Sequence, residues 1–325
     1  MIRLVSPSTL RRHGILGMNR RNISFISAWN ERRNYPLVDN KLLTKTAALD
    51  RGIPTPELYG VIDHQFQIAR MVDDLMDRQG FVIKPVQGSG GKGILVVVGR
   101  EGEGFVKSSG AVIDASDLRR HTSNILAGLY SLGGRNDFAM IEALIDFNPY
   151  LAQFSYEGVP DVRVIVFRGV PVMAMIRCAT HASDGKANLH QGAVGVGIDI
   201  GTGRSIAAVQ HGRLVTSHPD TGASFRELEL PDWEAILDLA ASCAEMTGLG
   251  YLGADIVLDR QRGPMLLELN ARPGLAIQVA NQEGLVHRLQ VASRIADEAA
   301  GHEERIRLAR ETFHRPEPVF ESVGS

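Results

Sequence analysis

Between two runs rich in β-branched residues lies the stretch Gly88-Ser89-Gly90-Gly91-Lys92-Gly93. Glycines in series let backbone amides approach phosphate oxygens without side-chain obstruction, and a neighbouring lysine adds charge. The element into which such a loop opens decides its chemistry. A dinucleotide-binding fingerprint opens directly into a helix whose N-terminus takes the pyrophosphate. Here Ile94-Leu95-Val96-Val97-Val98 comes next, a run that predicts a strand. A Walker A loop also fails, because no Ser or Thr follows Gly91-Lys92 and Val86 stands where its first glycine belongs. A strand–glycine loop–strand flap occurs in protein kinases, but their His-Arg-Asp and Asp-Phe-Gly signatures are absent. The loop reads as a phosphate-covering flap, with Phe81-Val82-Ile83-Lys84-Pro85 as the strand before it. Lys84 lies mid-strand, where a charge is expensive unless it is paired or faces a ligand.

A second constraint comes from Gly253–Leu258 and Pro264–Asn270. The stretch 260–263 predicts a four-residue hairpin loop, with Asp259 opposite Pro264. Counting inward places Asp255 opposite Glu268, and pairs Ala254 with Leu269, Ile256 with Leu267 and Leu258 with Met265. One face is then uniformly apolar, and the other carries Asp255, Glu268 and Asn270. Directly opposed residues bring their Cβ atoms to roughly 4.5–5.5 Å, where like charges repel. Two carboxylates and an amide oxygen placed so close want a divalent cation. All-oxygen ligation with few protein ligands fits Mg²⁺, with Mn²⁺ an allowed substitute. A glycosidase-type acid/base pair also needs two carboxylates, but the glycine loop and the lysines do not belong to that chemistry.

Elsewhere, 3.6-residue periodicity predicts helices over about 39–50, 63–78, 117–132, 232–247 and 285–299. Strands are predicted at 140–145, 162–167, 171–176, 252–258 and 264–270, so the expected class is α+β. Residues 301–325 read as a loose tail. The 325 residues are 44% hydrophobic with a net charge of −2, enough for two or three lobes and unlike a general polyanion binder. Cys178 and Cys243 have no metal-type spacing, and His181, His190, His211 and His218 match no zinc pattern. Two lone thiols make a reducing, cytoplasmic interior the expected compartment. No apolar run approaches the roughly 18–20 residues that cross a bilayer. The first thirty residues hold Arg3, Arg11, Arg12, Arg20 and Arg21 and no acid before Glu31. They read as a retained basic segment, ordered and packed at Ile15–Asn19 and Asn22–Ile26, whose arginines form either a solvated face or one that meets an anion or a membrane surface, dispensable for nucleotide binding but needed for acceptor use.

Taken in order, Asn40-Lys41, Gly52-Ile53-Pro54-Thr55-Pro56, Phe81–Pro85, Gly88–Gly93, Ile141-Glu142, Asp161-Val162-Arg163, 188–192 and Glu268-Leu269-Asn270-Ala271-Arg272-Pro273-Gly274 resemble the ATP-grasp superfamily. Within it they are similar to the ribosomal-S6-modification-like α-L-glutamate ligases, over about Asp39 to Leu275. The resemblance implies two α+β lobes clasping a nucleotide, the first over 41–145 with lid and hinge, the second over 146–300 with the metal site. A short basic segment, 1–40, stands in place of the full preceding α/β domain of such ligases, and 301–325 is the tail. It further implies that Lys41, Lys84 and the loop Gly88, Ser89, Gly90, Gly91, Lys92 and Gly93 contact ATP phosphates. Glu142 and Asp146 would serve base or ribose, and Asp255, Glu268 and Asn270 the magnesium. Arg163, Arg177 and Arg272 would surround the transferred phosphate, with His181, Lys186, Asn188 and His190 near the acceptor. The implied activity is ATP-dependent joining of a carboxylate to an amine, an amino acid or peptide, through an acyl-phosphate. A phosphotransferase or a nucleotide-binding regulator with little turnover is the alternative. No sequence-specific nucleic acid is implied, and a homo-oligomer is allowed.

Overall fold

The computed structural model describes residues 5–88, 90–316, 319 and 320. The chain folds as two compact units. One comprises the chain up to Asp39, Ala47–Pro54 and the chain from Phe147 onward; the other comprises Asn40–Thr46 and Thr55–Asp146.

The smaller unit is built on an antiparallel sheet. Its strands are β1 (Leu58–Ile62), β2 (Phe81–Pro85), β3 (Leu95–Glu101), β4 (Gly104–Lys107), β5 (Val112–Ile113) and β6 (Ala139–Ala143), in the order β1-β6-β2-β3-β4-β5. Helix Gln67–Leu75 buries Ile68, Met71, Val72 and Leu75. Helix Ala115–Leu126 starts where Asp114 accepts from the Asp117 amide at 2.8 Å and Asp117 accepts from the Asp114 amide at 3.2 Å, a reciprocal cap. Phe81 meets Phe105 edge-on at 5.7 Å within this unit's own core.

The larger unit holds a second antiparallel sheet of β7 (Asp161–Phe167), β8 (Val170–Cys178), β9 (Val194–Ile198), β10 (Ser205–Gln210), β11 (Arg213–Val215), β12 (Tyr251–Asp259) and β13 (Gly263–Asn270). Their order is β11-β10-β9-β8-β7-β12-β13, with β7 and β12 interior. Helix Trp233–Thr247 packs on β7, β12 and β13 through Ile236, Leu237, Ala240 and Cys243 and ends at Gly248. Helix Leu285–Glu298 packs on β8. Cys178 and Cys243 are both buried core residues.

Three expectations change. Strands β1, β4, β5 and β9–β11 were not foreseen. The stretch read as a tail contains helix His302–Phe313, which buries Ala309 and Phe313 and packs on β8. The leading segment is ordered and packed, as its apolar runs suggested, although Arg21 leaves the basic face. It forms helix Pro7–Arg12 and a second helical stretch from Met18 to Trp29, with a wide π-type turn over Arg21–Ile26, and buries Leu16, Phe25 and Ile26 in the larger unit's core. Asn30 donates to the Tyr251 carbonyl at 2.7 Å and accepts from the Tyr251 amide at 2.8 Å. Arg21 is itself buried, donating to the Pro273 carbonyl at 2.8 Å. A segment that completes a core cannot be removed without cost to the fold.

Candidate functional site

In the smaller unit the chemistry gathers on β2 and β6. Val82 pairs with Glu142, so Lys84, two residues along β2, lies on the same face as Glu142. Lys84 is 6% exposed and forms an ion pair with Glu142. Glu142 takes a second lysine, Lys45, at 2.7 Å. Lys45 lies on helix Lys41–Asp50, is 5% exposed, and also donates to the Thr55 hydroxyl at 3.2 Å and to the Pro56 carbonyl. Burial pulls the Lys45 pKa down, Glu142 opposes that, and Lys84 adds to it. Sequence reasoning missed Lys45, although its spacing of four from Lys41 puts both on one helix face.

Lys41 donates to the Gly88 carbonyl at 2.6 Å, and its amide bonds to the Val86 carbonyl, so this helix begins against the base of the glycine loop. Asp137, also missed, fastens that base. It is buried, accepts from the Gln87 amide at 3.0 Å and from the Ser131 hydroxyl at 2.6 Å. At the far end Gly93 is left-handed, and a Cβ there would stand 2.5 Å from the Tyr130 ring. Gly90, Gly91 and Lys92 are exposed between these anchors; Ser89 lies outside the described residues. Asp146 is an exposed residue three positions beyond β6.

In the larger unit, Asp255 faces Glu268 and Gly253 faces Asn270, as the sequence pattern predicted. Nearer the turn the pairing differs. Asp259 faces Gly263, Val257 faces Met265 and Ile256 faces Leu266, so the loop is three residues and a bulge at Leu267 restores the register. Gly263 allows the shorter turn because it is left-handed, at φ 71°.

Asp255 is 2% exposed and carries a dense set of donors. Arg163, directly opposite on β7, grips both its oxygens, Nε to Oδ1 at 2.7 Å and Nη2 to Oδ2 at 2.6 Å. Arg177 adds a bond to Oδ2 at 2.9 Å and also binds Asp161, its own cross-strand partner, with both nitrogens at 2.5 Å. Burial works against the Asp255 charge, but the two guanidinium groups outweigh it and hold its carboxyl below the usual carboxylate range. Asp161 goes the other way: burial, with the Asp255 charge adding, pushes it up to about 6 against the opposing Arg177. Asp161, quoted only as part of a motif, is thus a member of the cluster.

This geometry tests the expected metal set. Asn270 donates its amide nitrogen to Asp255 Oδ2 at 3.1 Å, and among the described residues no group donates to its side-chain oxygen. Asp255 Oδ1 accepts one hydrogen bond, from Arg163, and keeps lone-pair capacity. Glu268, directly across from Asp255, is half-buried. Two carboxylates and an amide oxygen are donor types that a hard divalent cation takes.

The remaining expected residues lie on the surface or in short turns, and the turns His181–Ser183 and Leu189–Gln191 touch each other. Arg272 is exposed and lies over the Tyr35 ring at 5.0 Å. The Asn188 side chain accepts from the His190 amide at 3.0 Å and caps a short turn. His181 packs against Tyr156, and Lys186 pairs with Asp184 at 2.9 Å on the surface.

Among solved structures, the chain is similar to the ATP-grasp ligase PsnB with its minimal precursor, at 16% identity over 82% of this chain and 64% of that one, TM-score 0.46. It thus spans just under two thirds of PsnB. The D-cycloserine synthetase DcsG matches at 13% identity, 81% and 71% coverage and TM-score 0.46. The D-alanine–D-alanine ligase from Bacillus anthracis with ATP matches at 14%, 86% and 67%, and 0.42. No curated protein matches the chain. The superfamily expected from the motifs is the right one, while the finer glutamate-ligase branch gains no support. A model described as sugar-transfer associated ATP-grasp matches residues 20–294, and the chain belongs to that ATP-grasp family.

Proposed function

We propose that the protein is an ATP-dependent ligase that joins a carboxylate to an amine through an acyl-phosphate, with ATP as substrate and Mg²⁺ as cofactor. What supports this reading above all is the Asp255–Glu268–Asn270 arrangement, in a chain of this family. Glu268, the Asn270 oxygen and Asp255 would hold the cation. When bound, the metal neutralises phosphate charge and aligns the triphosphate for in-line transfer.

The chain's own residues do the rest. Lys84, Lys45 and Glu142 together carry a net charge of +1 in a place with little water, which favours an anionic phosphate over any neutral ligand. The exposed amides of Gly90 and Gly91 fold over phosphate oxygens while Lys41 and Asp137 hold the loop's base. Arg163 and Arg177 keep a fixed orientation through Asp255 and Asp161, and so offer charge without reorganisation as the γ-phosphoryl moves to the substrate carboxylate. The amine then displaces phosphate, which leaves with the bond's electron pair. Excluding water protects the acyl-phosphate.

The test is ATP turnover with Mg²⁺ against panels of acids and amines. ADP and phosphate should appear in step with a new amide, and hydroxylamine should trap the activated acid as a hydroxamate. ADP release with transfer of the γ-phosphoryl to a hydroxyl acceptor, and no phosphate set free, would overturn the ligase reading.

A further inference from the structure

The leading segment carries a surface that this chemistry does not use. Residues 1–30 hold five arginines and no Lys, Asp or Glu, whereas the whole chain has a net charge of −2, so residues 31–325 sum to −7. Charge is therefore strongly segregated toward one short stretch. The same stretch is studded with apolar side chains in water. Val5, Leu10, Ile15, Met18, Ile23 and Trp29 are 54, 42, 36, 63, 71 and 41% exposed. They make up six of the eighteen large exposed apolar side chains among the described residues, within 25 positions. Scattered single residues of this kind are ordinary, but a concentration of them marks an interaction surface.

The anchoring fixes which side chains are buried and which stay in solvent. Gly14 is packed against His287 and Gly284, and the Leu16 backbone exchanges hydrogen bonds with the Gln278 side chain at 2.8 and 3.1 Å. Arg21, Phe25, Ile26 and Asn30 are buried in the same unit. Leu10, Ile15, Met18 and Ile23 alternate with these anchors and stay in solvent, together with Arg11, Arg12 and Arg20. A nucleic acid would take the arginines but leave the aliphatic side chains in water. An anionic bilayer surface takes both, guanidinium at phosphate headgroups and aliphatic tips at the acyl boundary. We propose that residues 5–29 dock this protein on an anionic lipid surface. The contact is peripheral, since no helix among the described residues is long and apolar enough to cross a membrane.

The test is flotation of the full chain with vesicles of equal parts phosphatidylglycerol and phosphatidylcholine, against pure phosphatidylcholine. Binding should be confined to the anionic vesicles and should weaken as salt is raised. Arg11→Gln/Arg12→Gln/Arg20→Gln should lower it by about 100-fold. Met18→Ser/Ile23→Ser should lower it by at least about tenfold, from the apolar area no longer inserted. All five positions are exposed, so both variants should melt with the parent. Three outcomes each overturn the proposal: no binding to anionic vesicles; binding that ignores Met18→Ser/Ile23→Ser, which leaves only a polyanion contact; or sedimentation showing a dimer lost in that variant with no lipid affinity.

Discussion

Asp255 stands directly opposite Glu268 although the turn joining their strands is one residue shorter than that pairing needs. The bulge at Leu267 supplies the missing residue. Without it, Glu268 and Asn270 would shift to the apolar face, since a one-residue slip reverses every side chain.

Deleting Leu267 should therefore leave Asp255 opposite Glu268, because Ile256 already faces Leu266, and should keep much of the ATP turnover. Deleting Leu269 instead should bring Asn270 opposite Ala254, on the apolar face, and should abolish turnover and destabilise the unit. Steady-state turnover and urea unfolding of the two variants check this; equal damage in both would refute the account of the bulge.

Glu268→Gln should lower kcat by about 10²–10³-fold, the scale of losing one electrostatic contact to the developing charge. Its side chain is only half-buried, so the melting temperature should hold. Calorimetric titration of Mg²⁺ in the presence of a non-hydrolysable ATP analogue should show weakened metal uptake.

The Lys45–Glu142–Lys84 cluster should respond asymmetrically. Glu142→Ala leaves two buried lysines without their counter-charge and should cost about 3–5 kcal/mol. Lys45→Met leaves a balanced Lys84–Glu142 pair and should cost about 1 kcal/mol, while weakening ATP binding through the lost positive charge. Urea midpoints and nucleotide titrations of the two variants separate the effects.

Asp161 should make stability fall as pH rises. Its folded pKa of about 6 lies above the ordinary value of 3.8, so the folded state holds the proton more tightly. The stability this confers is complete below about pH 3.8 and is lost as pH climbs through about 6. Asp255, held below the usual range, acts oppositely, and its contribution disappears only as pH drops under about 3.8. Asp161→Asn should flatten the unfolding profile between pH 4 and 6; an unchanged slope there would exclude Asp161 as its source.

The sequence made β12 and β13 legible because one face is consistently apolar, and an error at the turn cancelled against the bulge. Lys84 was legible because a lysine inside an apolar strand needs a reason. Lys45 was not, since a lysine on a ten-residue helix reads as solvated until the fold buries it beside Glu142. Strand β9, Val194-Gly195-Val196-Gly197-Ile198, was hidden by glycines that interrupt its β-branched pattern. Arg21 counted as one more surface charge until Pro273 took its guanidinium.

The two-way bond between Asn30 and Tyr251 joins residues 221 positions apart. During synthesis at about 5–20 residues per second, the amino-terminal helices wait roughly 10–45 s before their docking strand exists. Phe25 meets Phe167 sooner but lacks Tyr251 through that whole interval, and until then the nascent chain offers a sticky, positively charged segment to whatever the ribosome's surroundings provide. These helices are made early and locked late.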